Sequence, residues 1–236
     1  MRTIAILPVK SFGAAKQRLS EVLGSGSRQA LAQAMFIDVL GALARVEAIE
    51  ATFVVTSDRL AESLALMRGV PVLEDPVEAG QSAAASTGIQ HALASGFERA
   101  LLVPGDTPLL DPEELEGLLA RAPERGVAIV PDRHGSGTNA LVLSPPDAIA
   151  PSFGPDSRER HLAAARSAGL AHSVEELPSL ALDVDTRGDL SELAALLERR
   201  RGSAAMTRGA LSQLGRTHPH ALAAATGGRT AVEASA

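Results

Sequence analysis

Apolar residues along this chain switch between two rhythms. Short runs of aliphatic and β-branched residues alternate with longer stretches whose apolar positions recur every three or four residues. The first rhythm predicts buried strands at residues 3–9, 52–56 and 100–103, and a shorter one at 70–73. The second predicts helices. Residues 28–46 carry Leu31, Met35, Val39 and Leu43 at a spacing of four. Residues 59–67 read as a short helix, and the Ala-rich 82–95 as another, ended by Gly96. Asp111-Pro112 opens the next helix as an N-cap followed by proline at the first helical position.

After Gly126 the rhythm changes. Residues 127–130 and 140–143 look like two strands joined by a polar, Gly-rich turn at 132–139. Residues 157–168 read as a helix with Ser157 as its N-cap, 180–182 as a short strand, and 189–200 as a last helix. The β-α-β alternation implies an α/β domain with a mostly parallel sheet and helices on both faces. Beyond Arg201 periodicity fades into Ala, Gly, Ser and Thr. The expected organisation is one domain over residues 1–202 and a low-complexity, disordered tail over 203–236, with at most a helical turn at 210–214. On that reading, ending the chain near Gly202 leaves stability and activity unchanged.

Composition narrows the class. Apolar residues make up 45% of the 236 positions, enough for one ordinary core. Five Phe and no Trp or Tyr leave few platforms for stacking nucleobases. The formal net charge is −6, with no basic run of the kind that tracks a phosphate backbone. Nucleic acid is therefore not an expected partner. No apolar run approaches the roughly 20 residues that span a bilayer, and residues 1–10 read as a strand rather than a signal peptide. A cytoplasmic location is the simplest expectation. With no cysteine, disulfides and thiolate metal sites are excluded.

In open parallel sheets, ligands bind beyond the carboxyl ends of the strands. Three segments with reactive side chains fall there. Lys10, Lys16 and Arg18 follow the first strand, and three cations in one polar loop suit a polyphosphate. The segment lacks the Walker pattern, and a solvated basic loop is the competing reading. Pro104-Gly105-Asp106-Thr107-Pro108-Leu109 follows the third main strand. It aims Asp106 at the same edge, and Gly105 would let a ligand approach the backbone. A turn with a capping aspartate is the alternative. Asp183-Val184-Asp185 alternates, which puts both carboxylates on one side of an extended chain. Hard oxygen donors without His or Cys suit Mg²⁺. Two further Gly-rich turns, 135–139 and 154–157, are weak anion-site candidates. The six histidines show no metal-ligand spacing, and His91 and His161 read as ordinary helix residues.

Together Pro8-Val9-Lys10, Ala15-Lys16-Gln17-Arg18-Leu19, Pro104-Gly105-Asp106-Thr107-Pro108-Leu109 and Asp183-Val184-Asp185-Thr186 resemble the guanylyltransferases of coenzyme F-420 biosynthesis. The resemblance spans about residues 3–200. It implies a Rossmann-like three-layer α/β/α sandwich of the nucleotide-diphospho-sugar transferase type. It also implies transfer of GMP from GTP to phosphoenolpyruvate or 2-phospho-L-lactate, with release of pyrophosphate. On this resemblance the metal carboxylates are Asp106, Asp183 and Asp185. The acceptor-binding positions are Thr138, Gly154 and Ser157. Pro8, Lys10, Lys16, Arg18, Ser82 and Gly105 are the nucleotide-binding positions, with Lys10, Lys16 and Arg18 catalytic. The expected partners are GTP and a small phosphorylated acid, and a homodimer is left open.

One stretch departs from the family pattern. Gly80-Gln81-Ser82-Ala83-Ala84 stands where many members have Gly-Leu-Asn-Ala-Ala, so Ser82 offers a hydroxyl in place of an amide. The competing functions are a nucleotidyltransferase for another phosphorylated acceptor, such as a molybdopterin or a sugar acid, and a non-catalytic nucleotide-binding protein on the same fold.

Overall fold

The computed structural model describes residues 1–75, 79–200 and 202–222. These form a seven-stranded sheet in the order β3-β2-β1-β4-β6-β5-β7. The strands are β1 (Thr3–Pro8), β2 (Ala51–Thr56), β3 (Val72–Glu74), β4 (Arg99–Leu102), β5 (Gly126–Pro131), β6 (Thr138–Ser144) and β7 (Ala171–Val174). All neighbours pair in parallel except at β6, which runs antiparallel to both β4 and β5. That single reversal matters for function. It brings the start of β6, at Thr138, to the edge where β1 and β4 end.

Alternate residues of each strand feed opposite faces, as the pleat requires. Ala5, Leu7, Val54, Leu101 and Val130 pack under α1 (Ser25–Leu43), α2 (Arg59–Leu66) and α4 (Pro112–Arg121). Ile4, Ile6, Val55, Leu102 and Ile129 pack under α3 (Gln81–Ala94) and α5 (Ser157–Ser167). This is the expected three-layer sandwich. Each fully buried aliphatic side chain contributes about 1.5–3 kcal/mol. Gly88 lets α3 lie close on β1, because a Cβ there would come 2.4 Å from Ile6 Cγ2. Asp111 caps α4 as predicted, accepting from the Glu113 N–H at 2.9 Å. Among the described residues no helix is long and apolar enough to cross a membrane.

Four features differ from the sequence reading. Residues 180–182 are not a strand. They belong to an irregular strap, 175–186, that crosses the sheet's carboxyl edge with Leu180 and Leu182 buried. The seventh strand, β7, was not anticipated; Ala-His-Ser-Val on an exposed sheet edge shows no apolar alternation. The N-cap of α5 is Asp156, in left-handed conformation, and Ser157 is the first helical residue.

The fourth difference is the segment after Gly202. It forms α7 (Ala205–Thr217) and α8 (Pro219–Leu222), which follow α6 (Arg187–Arg199). Leu211 and Leu214 are buried against Leu31 and Met35 of α1 and Leu190, Leu193 and Leu197 of α6. Asp38 of α1 caps α7 across space, accepting from Met206 N at 3.1 Å and Thr207 N at 2.7 Å. The tail expected at 203–236 is thus helical over 205–217 and 219–222; residues 223–236 lie outside the described residues. Truncation at Gly202 should therefore destabilise the domain, contrary to the sequence expectation. Leu214→Ala alone should cost about 3 kcal/mol, a Tm drop of roughly 6–12 °C for a chain of this size. A thermal melt that leaves Tm unchanged would mean that α7 does not dock.

Candidate active site

The loop after β1 turns through two short 3-10 segments, Phe12–Ala14 and Gln17–Leu19. Asp58 anchors it. One carboxylate oxygen accepts from Phe12 N at 2.8 Å, and the other accepts from Leu60 N and Ala61 N at the start of α2. Lys16 then adopts a left-handed backbone, φ 56°, at a cost of about 1–2 kcal/mol for a residue with a Cβ. That turn sends its side chain inward. The ammonium donates to Asp106 and, at 3.0 Å, to Asp185, and the side chain is only 5% exposed.

Asp106 follows β4 through Pro104-Gly105. A Cβ at Gly105 would meet Phe36 at 3.3 Å and Val9 at 3.4 Å, so a side chain here would crowd the core beneath the loop. Asp183 and Asp185 arrive on the strap. Asn139, at the start of β6, holds the strap by donating to Leu180 O at 2.7 Å and Ala181 O at 3.3 Å. Val184 is buried while Asp183 and Asp185 face the cavity, which is the alternation expected from the sequence. Asp189 fixes the end of the strap, accepting from Asp185 N at 2.9 Å and Thr186 N at 2.6 Å within the capping box of α6. Arg133, on the β5–β6 turn, pairs with Asp189 and Glu192.

Charge is crowded here. Burial would push Lys16 towards its neutral form, but the charges and hydrogen bonds of Asp106 and Asp185 outweigh it and raise its pKa. Asp183 is pushed up, first by burial and then by the charges of Asp106 and Asp185; the Asn139 amide opposes this. The expected convergence of three aspartates on a metal therefore takes a different form. The cation shared by Asp106 and Asp185 is the Lys16 ammonium. No set of three or more His, Cys, Asp or Glu side chains among the described residues is disposed to hold a metal ion.

These groups line a cavity of about 670 Å³ at the carboxyl edge of the sheet. Pro8, Lys10, Lys16, Arg18, Gly105 and Asp106 are on its wall, and so are Thr138, Gly154 and Ser157. A smaller cavity of about 240 Å³, lined by Asp75 and Gly80 among others, shares Pro8, Val9, Lys10, Ala14 and Gln81 with the first. Ser82 is placed differently from expectation. It lines neither cavity, and its hydroxyl accepts from Phe153 N at 2.9 Å; Gln81 is the residue on the wall.

Around Thr138 lies a buried polar chain that no local sequence pattern marks. His161 on α5 is fully buried. Its Nδ1 lies 3.1 Å from Thr138 Oγ1, and its Nε2 accepts from Ser152 N at 2.9 Å. Ser157 Oγ donates to Thr138 Oγ1 at 3.2 Å. Burial, and then the neighbouring Arg160 charge, lower the His161 pKa to about 4. Arg160 braces the adjoining loop by donating to Ser152 O at 2.9 Å, Phe153 O at 3.2 Å and Pro155 O. Within that loop Gly154 has φ 107°, a conformation that side-chain-bearing residues rarely adopt.

A family model described as "Guanylyl transferase CofC like" matches residues 3–218. A phosphoenolpyruvate guanylyltransferase of Conexibacter woesei is 52% identical over 221 residues, covering 93% of this chain and 99% of that protein. A 2-phospho-L-lactate guanylyltransferase of Methanothermobacter thermautotrophicus is 37% identical over 193 residues, 82% of this chain and 84% of that protein. Among solved structures, one described as a nucleotide-diphospho-sugar transferase from Desulfovibrio desulfuricans G20 superposes with a TM-score of 0.74 at 21% identity, over 94% of this chain and 99% of that one. The structural likeness bears on the fold alone, whereas the family model spans every segment of the cavity and the two relatives match most of the chain: the chain belongs to the CofC-like guanylyltransferase family.

Proposed function

We propose that this protein transfers GMP from GTP to phosphoenolpyruvate, releasing pyrophosphate, as a cytoplasmic step in coenzyme F-420 biosynthesis. The observation that carries this reading is the layout of the cavity. Cationic Lys10, Lys16 and Arg18, hydroxyl-bearing Thr138 and Ser157, and the carboxylates of Asp106, Asp183 and Asp185 all line one cavity. That provides anion-binding groups of two kinds together with a charge-handling cluster. The relative with 52% identity bears the name of the phosphoenolpyruvate enzyme.

The chemistry asks little of a base. A phosphate oxygen of the acceptor, already ionised at neutral pH, bonds to the α-phosphorus of GTP. The bond from that phosphorus to the oxygen bridging to the β-phosphate breaks, and the electron pair leaves on pyrophosphate. No proton has to move. The barrier is largely the approach of one anion to another, and fixed cations lower it. Lys16 is positioned to neutralise charge at the reacting phosphates, with Lys10 and Arg18 nearer the solvent side. A divalent cation of the Mg²⁺ type is usually held by one or two carboxylates together with substrate phosphates, so it needs no preformed cage of three side chains. The hard carboxylate oxygens on the cavity wall suit such an ion. One or two of Asp106, Asp183 and Asp185, with the phosphates of GTP, would hold it, and it would supply charge neutralisation of the phosphates.

Pyrophosphate release from GTP, measured with phosphoenolpyruvate, 2-phospho-L-lactate, a phosphorylated sugar acid and no acceptor, tests the reading. Release that depends on phosphoenolpyruvate supports it. A preference for phospholactate would move the acceptor, as the 37%-identical relative's name suggests. Release with none of them would contradict it. For the acceptor side, Thr138→Val should raise the acceptor KM about 10–100-fold, the loss of one hydrogen bond to a charged group. The KM for GTP should stay within about twofold. Equal effects on both substrates would assign Thr138 to the wrong one.

A further inference from the structure

We infer that His161 is a positioning residue that sets the hydrogen-bond polarity of the acceptor pocket, making the Thr138–Ser157 hydroxyl pair a net donor towards an anion. The inference rests on the acceptor-site reading above and deepens it. It follows from where protons can sit. Ser152 N is a backbone amide and can only donate, so His161 Nε2, at 2.9 Å, must accept. A neutral imidazole carries one proton, so that proton is on Nδ1. Nδ1 faces Thr138 Oγ1 at 3.1 Å and therefore donates to it.

The two hydroxyls then have a fixed hydrogen count. Thr138 and Ser157 bring one O–H each, and one of these hydrogens is used between them at 3.2 Å. Thr138 Oγ1 has already received a proton donor from His161. One hydroxyl hydrogen is left over, and both residues line the cavity. This holds whichever hydroxyl donates to the other. With the opposite tautomer the count reverses. Nδ1 would accept, Thr138 would spend its hydrogen on the ring, Ser157 would spend its own on Thr138, and the pair would present lone pairs to an incoming anion. A phosphorylated carboxylic acid needs donors. The Ser152 N–H thus decides, two bonds away, whether the pocket attracts or repels its ligand.

The surroundings hold this state. His161 is fully buried, and its ring packs edge-on to Phe153 with centroids 5.4 Å apart. Protonation would set a second N–H against the Ser152 N–H; burial and the Arg160 charge separately lower the pKa to about 4. Arg160 secures Ser152 through its hydroxyl at 2.8 Å and its carbonyl at 2.9 Å, so the deciding amide is itself fixed.

Two measurements test the inference. His161→Phe keeps the ring but removes both nitrogens. It should raise the acceptor KM about tenfold or more, and leave the KM for GTP within about twofold. His161→Asn, whose amide can still donate to Thr138, should recover most of the loss. Combined with Thr138→Val, His161→Phe should add little, because both remove the same donor. Equal rises in both KM values, full additivity, or no rescue by Asn would overturn the inference. The second measurement needs no variant to fold and no substrate to turn over. Long-range ¹H–¹⁵N NMR of the whole protein at neutral pH should show His161 neutral with its proton on Nδ1. A proton on Nε2 would overturn the inference even if the acceptor reading stands. If the wild-type protein turns over no phosphorylated acid, the acceptor reading falls, and the tautomer still reports on the polarity of the pocket.

Discussion

Replacing Lys16 with methionine should lower kcat/KM for GMP transfer by about 10²–10³-fold, the usual loss on removing one preorganised charge-stabilising donor. The side chain is nearly enclosed and bridges Asp106 and Asp185 from a left-handed backbone position. Its ammonium is kept charged because the two carboxylates outweigh the cost of burial. Methionine fills similar space but leaves those carboxylates facing each other. Arginine should not restore activity, since its planar fork is larger and cannot reproduce a point charge in so small a space. Steady-state kinetics with both substrates varied measures this. A Lys16→Met enzyme within fivefold of wild type would show that Lys16 only neutralises its neighbours and takes no part in the reaction.

Asp183→Asn should separate stability from turnover. Burial and the nearby charges of Asp106 and Asp185 raise the Asp183 pKa, so the folded state disfavours its ionised form. The sign follows from linkage. The folded protein holds this proton more tightly than the unfolded chain, so stability falls as pH rises from the ordinary 3.8 towards the raised folded value. Above that raised value the cost is fully present. The neutral amide removes it, and Tm in chelator-containing buffer should rise by a few degrees. The gap from wild type should close as pH falls below the carboxylate range. Turnover should meanwhile drop by about 10³-fold or more, because a metal-holding and charge-balancing oxygen is lost. Adding Mg²⁺ should raise the wild-type Tm by ligand linkage and leave the variant's unchanged. A variant that melts lower in chelator, or that keeps its activity, would contradict this assignment.

How much of this was legible depends on whether the cause is local. β1, β2 and β4 are short apolar runs, and α1 repeats Leu31, Met35, Val39 and Leu43, so periodicity alone finds them. Lys16, Asp106, Asp183 and Asp185 sit in compact motifs at strand ends or near a helix cap, and they do meet in one cavity. What escaped notice acts through tertiary partners. α7 carries Gly209 and Gly215, both weak helix formers, and it is ordered by Asp38 and by the leucines of α1 and α6. The strap at 175–186 meets β5 only at its start, where Glu175 N donates to Ile129 O at 2.9 Å, and beyond that it is held by Arg133 N, Asn139 and Asp189. His161 looks like any helix histidine until Ser152 and Thr138 are seen on either side of its ring. That the lysine would lie between two aspartates was likewise invisible, because Lys16 and Asp185 are 169 residues apart.

The central claim is that one cavity brings GTP and a phosphorylated acid together for transfer of GMP. The most direct measurement is ³¹P NMR of the wild-type protein incubated with GTP, phosphoenolpyruvate and Mg²⁺. The expected result is loss of the GTP resonances, a new pair of mutually coupled signals from a diphosphate joining guanosine to the enol acid, and one pyrophosphate signal in equal amount. Formation of GDP and inorganic phosphate, or consumption of GTP without a coupled pair containing the acceptor's phosphorus, would contradict it.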